Sequence, residues 1–553
     1  MTPNPANVDP ITTSVIQHRL TAIVEEMGEA MLRTSYSQIL NSSRDFSAAM
    51  VDSDCQLVAQ AEHIPVHVGA MPWAAKAVRD YFGEDVSEGD LFLVNDPYLG
   101  YGSHLPDVTV FAPVFIEGSV AFWTINRAHH SDIGGSTHGA YNPSATEIFH
   151  EGLRIPPLRL WERGKPKQDL LDMLAANVRH PRDFKGDLAA QIGSVKLGER
   201  RLKALVDGFG AKIVLQSCRQ ILDGAEARAR AEIETWKDGK YFGEATLDDD
   251  GHGRENIKIR AKVTVQGSNV EVDLSDSDPE STAFVNSSFA NMQSACAQTL
   301  AYLIDPTIPK NAGAFRPMSV IAKQGTIVWS NDGLPVTMCT SHCSNEIIEA
   351  IIVALSEACP DKAMAGWGRR LRIAIKGEDP RNGKTFIWHM FHARPGAGAS
   401  PGGDGWHNAG EWHSAGGLKF GSVEVAEARF PLHFRRHEFR PNSGGAGQYR
   451  GGTGVDMEMV VETLGDAVAN TAGDGQRHGA RGILGGSDGD PHFYRQKGSN
   501  GIELPLPSKA TGLPVKSGDV FIVSSGGGGG WGQPKMRTDD SHSDDLADGF
   551  VTN

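Results

Sequence analysis

Apolar residues recur every three to four positions near the start of the chain, at Ile16, Leu20, Ile23, Val24, Met27 and Met31. That period predicts a helix through Leu32, with Asp9 as its cap and Pro10 in its first turn. After Arg44-Asp45 the period shortens, and Phe46–Val51 and Gln56–Ala59 flank a polar Asp52-Ser53-Asp54 turn, which reads as a hairpin. Residues 72–82 predict a helix stopped at Gly83, and Leu91–Val94 a short buried strand ending in Asn95-Asp96-Pro97. A second hairpin follows, Val108–Ile116 and Ser119–Asn126, around Glu117-Gly118.

From Gln168 to Trp236 the pattern is helical, with charged faces and a break at Gly208-Phe209-Gly210, as a pair of packed helices requires. Beyond Tyr241 strand signals return, at Ile257–Val265 and Val270–Leu274, and helices are expected over 289–303 and 345–358. From about 365 onward the chain reads as strand and glycine loop. The tail after Gln533 carries five aspartates with little to bury and is expected to be mobile. The expected class is α+β. Residues 1–165 form a mixed N-terminal domain with the candidate metal site, 166–240 a helical segment, 241–534 a β-rich region with two helices, and 535–553 an acidic tail.

Composition narrows the function. A net charge of −15 excludes a general nucleic-acid binder, which needs a basic stripe to meet phosphates. No apolar run reaches the roughly 18–20 residues that span a bilayer, and the first residues lack the basic-then-apolar order of a secretory signal. Six irregularly spaced cysteines do not make a disulfide framework. A cytoplasmic protein is expected, with no nucleic-acid or membrane partner. Glycine is the outlier: 64 residues, against roughly 39 at an average usage of about 7%.

The richest chemistry flanks the second hairpin. His104-Leu105-Pro106-Asp107 precedes it and Arg127-Ala128-His129-His130-Ser131-Asp132 follows it. A two-residue turn at Glu117-Gly118 sets Ile116 opposite Ser119, Asp107 opposite Ala128 and Pro106 opposite His129. Opposed Cβ atoms lie about 4.5–5.5 Å apart, so His104, Asp107 and His129 or His130 gather at one end of one hairpin. Two imidazoles and a carboxylate suit Zn²⁺, Mn²⁺ or Fe²⁺ with a position left for water. Adjacent histidines alternate faces, so one of His129 and His130 ligates. Structural histidines at a strand end give the same pattern.

The run Leu93–Tyr98, with Gly102–Asp107, Asn126–Gly135, Thr146–Pro157, Asn311–Pro317 and Arg440–Gly452, resembles the hydantoinase B/oxoprolinase family over nearly the whole chain. One departure is Asn442, where the family usually carries Asp before Ser-Gly-Gly. The resemblance implies the smaller subunit of an ATP-dependent cyclic-amide hydrolase, acting on hydantoins, 5-oxoproline or lactams, with zinc foremost among the metals. It implies His104, Asp107 and His129 as metal ligands, with Asp45 of the early S-R-D-F motif beside them as a fourth ligand or as the base. Asp45 and His129 are then the catalytic pair. Arg127 and Arg154 are candidates to hold a phosphorylated intermediate, or else form structural ion pairs. ATP would bind a larger hydantoinase A-type subunit in an α₂β₂ assembly. A subunit of a ketone carboxylase, of the acetone or acetophenone type, is the rival enzymatic reading, and a non-catalytic scaffold for the ATPase subunit the third.

No nucleotide loop is expected here. Gly377–Thr385 has five residues between its glycines where a phosphate-binding loop has four, and it separates two strands. Gly444–Gly454 and Gly526–Gly530 read as tight turns or as anion cradles, the latter also as a close approach to another backbone. Gly402–His407 reads as a substrate loop or a surface turn, and Cys339 and Cys343 as incidental.

Overall fold

The computed structural model describes residues 8–552, apart from 140 and 420. The first helix, Pro10–Thr34, begins as its sequence requires: the Asp9 carboxylate accepts from the backbone N–H groups of Ile11 and Thr12. Behind it lies a seven-stranded antiparallel sheet built from β1 (Phe46–Asp52), β2 (Leu57–Ala61), β3 (Leu91–Val94), β4 (Asp107–Ile116), β5 (Ser119–His129), β6 (Leu158–Glu162) and β7 (Lys165–Pro166). Their order is β2-β1-β5-β4-β3-β6-β7.

Alternation along β4 and β5 sends their side chains to two different cores. Val108, Val110, Ala112 and Val114 pack with Met27 and with Leu188 and Val195 of the long helix Pro181–Phe209. Phe111, Trp123 and Ile125 pack on the opposite face, against Ala74 and Val78 of the helix Met71–Phe82. The helical segment therefore forms the outer layer of the N-terminal sheet. It holds three helices, Gln168–Ala176, Pro181–Phe209 and Ala211–Ile233, the last two separated by Gly210 in the left-handed region at φ +88°.

The second hairpin corrects the expected register. Ile116 does face Ser119, and Phe115 faces Val120, but from Val114 inward the pairing slips by one because Ala121 has no partner. This β-bulge sets Asp107 opposite His129, where the regular turn would have set it opposite Ala128. Three apolar residues in a row, Val120-Ala121-Phe122, conceal the extra position from the pattern.

The C-terminal half adds three sheets. A four-stranded sheet, Gly239–Asp249, Glu255–Gln266, Asn269–Asp273 and Met318–Ile321, carries the helices Phe289–Leu303 and Cys343–Leu355 over one large apolar core. A four-stranded and a five-stranded sheet then close over a second core, where Ile373, Ile375 and Trp388 meet Met457, Met459 and Phe521. Residues 377–385 form the tight connection between Ile373–Glu378 and Thr385–His389, as expected of a turn and not of a phosphate loop.

Gly526–Gly530 runs through this half as a bare backbone surrounded by other backbones. Its N–H groups donate to Asp490, Gly452, Gly366 and Ser487 carbonyls, and its carbonyls accept from Gly396, Gly445, Ala399 and Ile483. A Cβ on Gly528 would lie 1.8 Å from the Ala397 carbonyl oxygen. The glycine run is a packing device whose polar groups are spent on protein, so the anion-cradle reading does not hold for it. The acidic tail also differs from expectation. Asp539–Ala547 is a helix, and its buried Asp545 pairs with Arg450 at 3.0 Å and Arg537 at 2.6 Å, while the Phe550 ring stacks on His407. Arg450 and His407, remote in sequence, and Arg537 from the tail itself supply the anchors that tail composition hides. No helix among the described residues is long and apolar enough to cross a membrane.

Candidate metal centre

β4 begins at Asp107 and β5 ends at His129, and both residues project to the sheet face away from the long helices. His130 takes the other face, where its Nε2 meets Gln191 Oε1 at 2.9 Å and its ring lies against Phe184. His104 sits in the loop before β4, fixed by a bond between its Nδ1 and the Thr337 carbonyl. A carbonyl only accepts, so Nδ1 carries a proton and Nε2 is the nitrogen left to face Asp107. That nitrogen lies 2.9 Å from Asp107 Oδ1 and has no hydrogen-bond partner, while His129 Nδ1 lies 3.2 Å from the same oxygen. The ligand atoms of His104, Asp107 and His129 all fall within 4.8 Å of one another, and all three residues are buried.

Electrostatics give this cluster a sign. Burial resists charge on Asp107, yet His104 and His67 hold its carboxyl well below its usual value, so it stays ionised. Burial also opposes a proton on His104, but the Asp107 charge overrides it and raises that histidine. His129 is pushed down to about 3 by burial and presents a neutral imidazole. The raised His104 and the lowered Asp107 both show that this dry site favours positive charge between carboxylate and imidazole, a proton on Nε2 or a metal ion in its place. The donor set, two nitrogens and one oxygen, fits a divalent transition metal.

Around the three lies a supporting shell. Ser103 donates to Asp107 Oδ2 at 2.5 Å, and the Tyr141 hydroxyl meets His129 Nε2 at 3.2 Å. His67, from the short turn of helix Pro65–Val68, places Nε2 3.4 Å from Asp107 and 3.6 Å from Asp45. Asp45 therefore stands beside the cluster, one histidine removed; its carbonyl accepts from the His129 N–H, and burial raises its carboxyl.

Of the two arginines expected to hold an intermediate, Arg154 is held in ion pairs, and Arg127 is buried with its Nη2 still without a hydrogen-bond partner. Arg127 is fully buried behind Asp107, donating to Thr109, to the His67 carbonyl and to Ser103. Arg154 is forked onto Asp96 and reaches Asp332 at 2.9 Å. Cys339 and Cys343 donate to the Ser103 and Ile327 carbonyls and stand apart from the cluster. Sequence reasoning missed His67, Tyr141, Arg372 and His389. Arg372 lays its guanidinium 3.7 Å over the Tyr141 ring, and the Tyr141 ring meets His389 edge-on. Only His67 carried any local sign, as a polar residue among Ile64, Val66 and Val68; the rest arrive from distant segments.

The hydantoinase B/oxoprolinase family model matches residues 9–534. The chain is 34% identical to caprolactamase subunit beta of Pseudomonas jessenii, covering 99% of this chain and 94% of that one. The crystal structure of the ATP-dependent caprolactamase from that organism superposes with a TM-score of 0.92 at 33% identity, over 99% of this chain and 95% of its counterpart. A 5-oxoprolinase of Pestalotiopsis fici is 29% identical over 98% of this chain, which spans 42% of that protein. Acetone carboxylase, in its nucleotide-free structure, shares the fold with a TM-score of 0.89 at 19% identity, over 99% of this chain and 78% of that one.

Proposed function

Because this chain belongs to the hydantoinase B/oxoprolinase family, we propose that it is the metal-containing subunit of an ATP-dependent cyclic-amide hydrolase. In this reading it completes ring opening after a partner subunit has phosphorylated the amide. The observation that carries the reading is the buried His104–Asp107–His129 cluster, whose unpartnered Nε2 faces an ionised carboxylate. A hydrolase of the same family supports it, at 34% identity over the full chain. The carboxylase shares the fold alone, and no feature of the site favours that chemistry.

An unstrained amide resists water because its carbonyl is a poor electrophile and its nitrogen a poor leaving group. Phosphorylation of the carbonyl oxygen makes the carbon electrophilic. Water then adds to that carbon, the C–N bond breaks with the ring nitrogen taking a proton, and an acyl phosphate remains. A second water cleaves it to a carboxylate and inorganic phosphate. His104, Asp107 and His129 would hold the metal, zinc foremost and manganese or iron as alternatives. Bound there, it supplies Lewis acidity and brings the pKa of water toward ~7. Ser103 and Arg127 fix Asp107 from behind, and Tyr141 orients His129. Asp45, raised by burial, would be either a fourth ligand or the base that takes a proton from the incoming water.

ATP is assigned to a larger hydantoinase A-type subunit, since the one candidate nucleotide loop of this chain is a hairpin turn. That this chain spans 42% of a 5-oxoprolinase supports a partner of greater size, and the assembly proposed is α₂β₂. A cytoplasmic setting agrees with six free, buried cysteines. The test is reconstitution with the larger subunit and ATP. A hydantoin, 5-oxoproline or a lactam should be opened, and labelled bicarbonate with a ketone should not be fixed. The isolated chain should hydrolyse neither ATP nor lactam. Ketone carboxylation, or full activity of the large subunit alone, overturns the proposal.

A further inference from the structure

Arg372 lies just before the strand Ile373–Glu378, only 2% exposed, and its Nε and Nη2 have no hydrogen-bond partner. No carboxylate among the described residues lies within ion-pair distance of it, although Arg370 and Arg394 nearby both pair with Glu411, at 3.2 and 2.8 Å. A buried guanidinium with open donors is costly unless something occupies them. His389, opposite Ala374 in the same hairpin, repeats the pattern: it is 4% exposed and both ring nitrogens are unpartnered. Between these two residues and the metal cluster stands Tyr141. Its ring lies under Arg372 at 3.7 Å and meets His389 at 6.2 Å, and its hydroxyl touches His129.

His389 also lines a cleft of about 400 Å³ that runs outward past Tyr36, Lys384 and Arg429. The cleft carries Asp183 and Asp379 as well, but Asp379 is clasped by Arg381 at 2.8 Å. The cleft thus offers a path from the surface to His389, and the Tyr141 ring joins His389 to Arg372 and to His129.

We infer that Arg372 and His389 form an oxyanion-binding pair that receives the phosphoryl group of the activated substrate, with Tyr141 setting its distance from His129. The inference rests on the hydrolase reading above, and it adds an anion contact to the candidates Arg127 and Arg154. A planar guanidinium offers two parallel N–H groups to a phosphate, a geometry an ammonium does not reproduce.

The probe is inorganic phosphate, titrated by phosphorus NMR into the full, metal-loaded chain and into the chelator-treated chain, with metal content measured in parallel. Arg372→Met should weaken phosphate binding about 10–100-fold in both forms, as expected for losing hydrogen bonds to a charged group. Arg372→Lys should fall between, His389→Asn should weaken binding less, and metal content should not change. Phosphate binding by Arg372→Met equal to wild type overturns the assignment. Should that variant fail to fold, Arg372→Lys binding phosphate as wild type overturns it equally. A wild type that opens rings with its partner yet binds no phosphate sinks this inference alone. Arg372-dependent phosphate binding without ring opening supports it while the hydrolase reading fails.

Discussion

Asp107 stands directly across from His129 because a single residue further along the hairpin, Ala121, has no partner. A regular two-residue hairpin would pair Asp107 with Ala128 and turn His129 to the opposite face. The bulge restores the parity that brings carboxylate and imidazole together. In this sequence one unpaired alanine thus decides whether the carboxylate and the imidazole meet.

Inserting one alanine after Ala121 should therefore abolish metal binding. With a single residue still unpaired, the inner pairing slips by one and places Ala128 opposite Asp107. Deleting Ala121 removes the bulge, leaves Phe122 opposite Val114 and Asp107 opposite His129, and should retain metal. Elemental analysis should find less than about a tenth of the wild-type metal in the insertion variant, in protein that retains its far-ultraviolet circular dichroism. Full metal occupancy in the insertion variant would show that the register does not set the site.

His130 has a different job from its neighbour. Its bond to Gln191 lies in the core between sheet and long helix, so His130→Ala should retain metal. It should instead destabilise the chain by about 1–3 kcal/mol through an orphaned buried amide, read from urea unfolding. Loss of metal without loss of stability would contradict this placement.

Acid should unfold the protein early. Burial pushes His138 and His392 down to about 4 and His492 to about 3. These side chains stay neutral when folded and take up protons near their ordinary value when unfolded. The unfolded state then binds more protons as pH falls from about 6.5 to about 4, and stability falls with it, by about 1.4 kcal/mol per pH unit for each such histidine. Unfolding at pH 5 should accordingly take up several protons, seen as a steep drop in melting temperature between pH 6.5 and 5. A flat profile across that range would refute the burial argument.

Glycine substitutions should divide sharply by location. Gly528→Ala forces a Cβ to within 1.8 Å of a carbonyl oxygen in rigid backbone and should prevent folding. Gly224→Ala, in open space on the helix Ala211–Ile233, should stabilise by up to about 1 kcal/mol. Thermal melts of both variants check the contrast.

Much of this was legible in the sequence where the information is local. The first helix, both hairpins and the long helical segment follow from period and caps, because each depends on residues within a few turns of one another. His104, Asp107 and one of His129 and His130 were legible together because one hairpin carries them, and the family resemblance singled out His129. The bulge was not, since an apolar run offers no alternation to break. His67, Tyr141, Arg372 and His389 were hidden because the topology, and no local pattern, folds their segments around the hairpin end. The excess of glycine was plain in the composition. Its use, a backbone packed against backbones, depends on contacts with segments such as 396–399, 443–452 and 481–490.

The most direct test replaces His129 with Ala in the chain and assembles it with its larger subunit, measuring ATP-dependent opening of a hydantoin or lactam alongside bound metal. The account predicts that complex formation survives while metal is lost and ring opening falls by at least about 100-fold. Undiminished ring opening by a metal-free His129→Ala complex would contradict it.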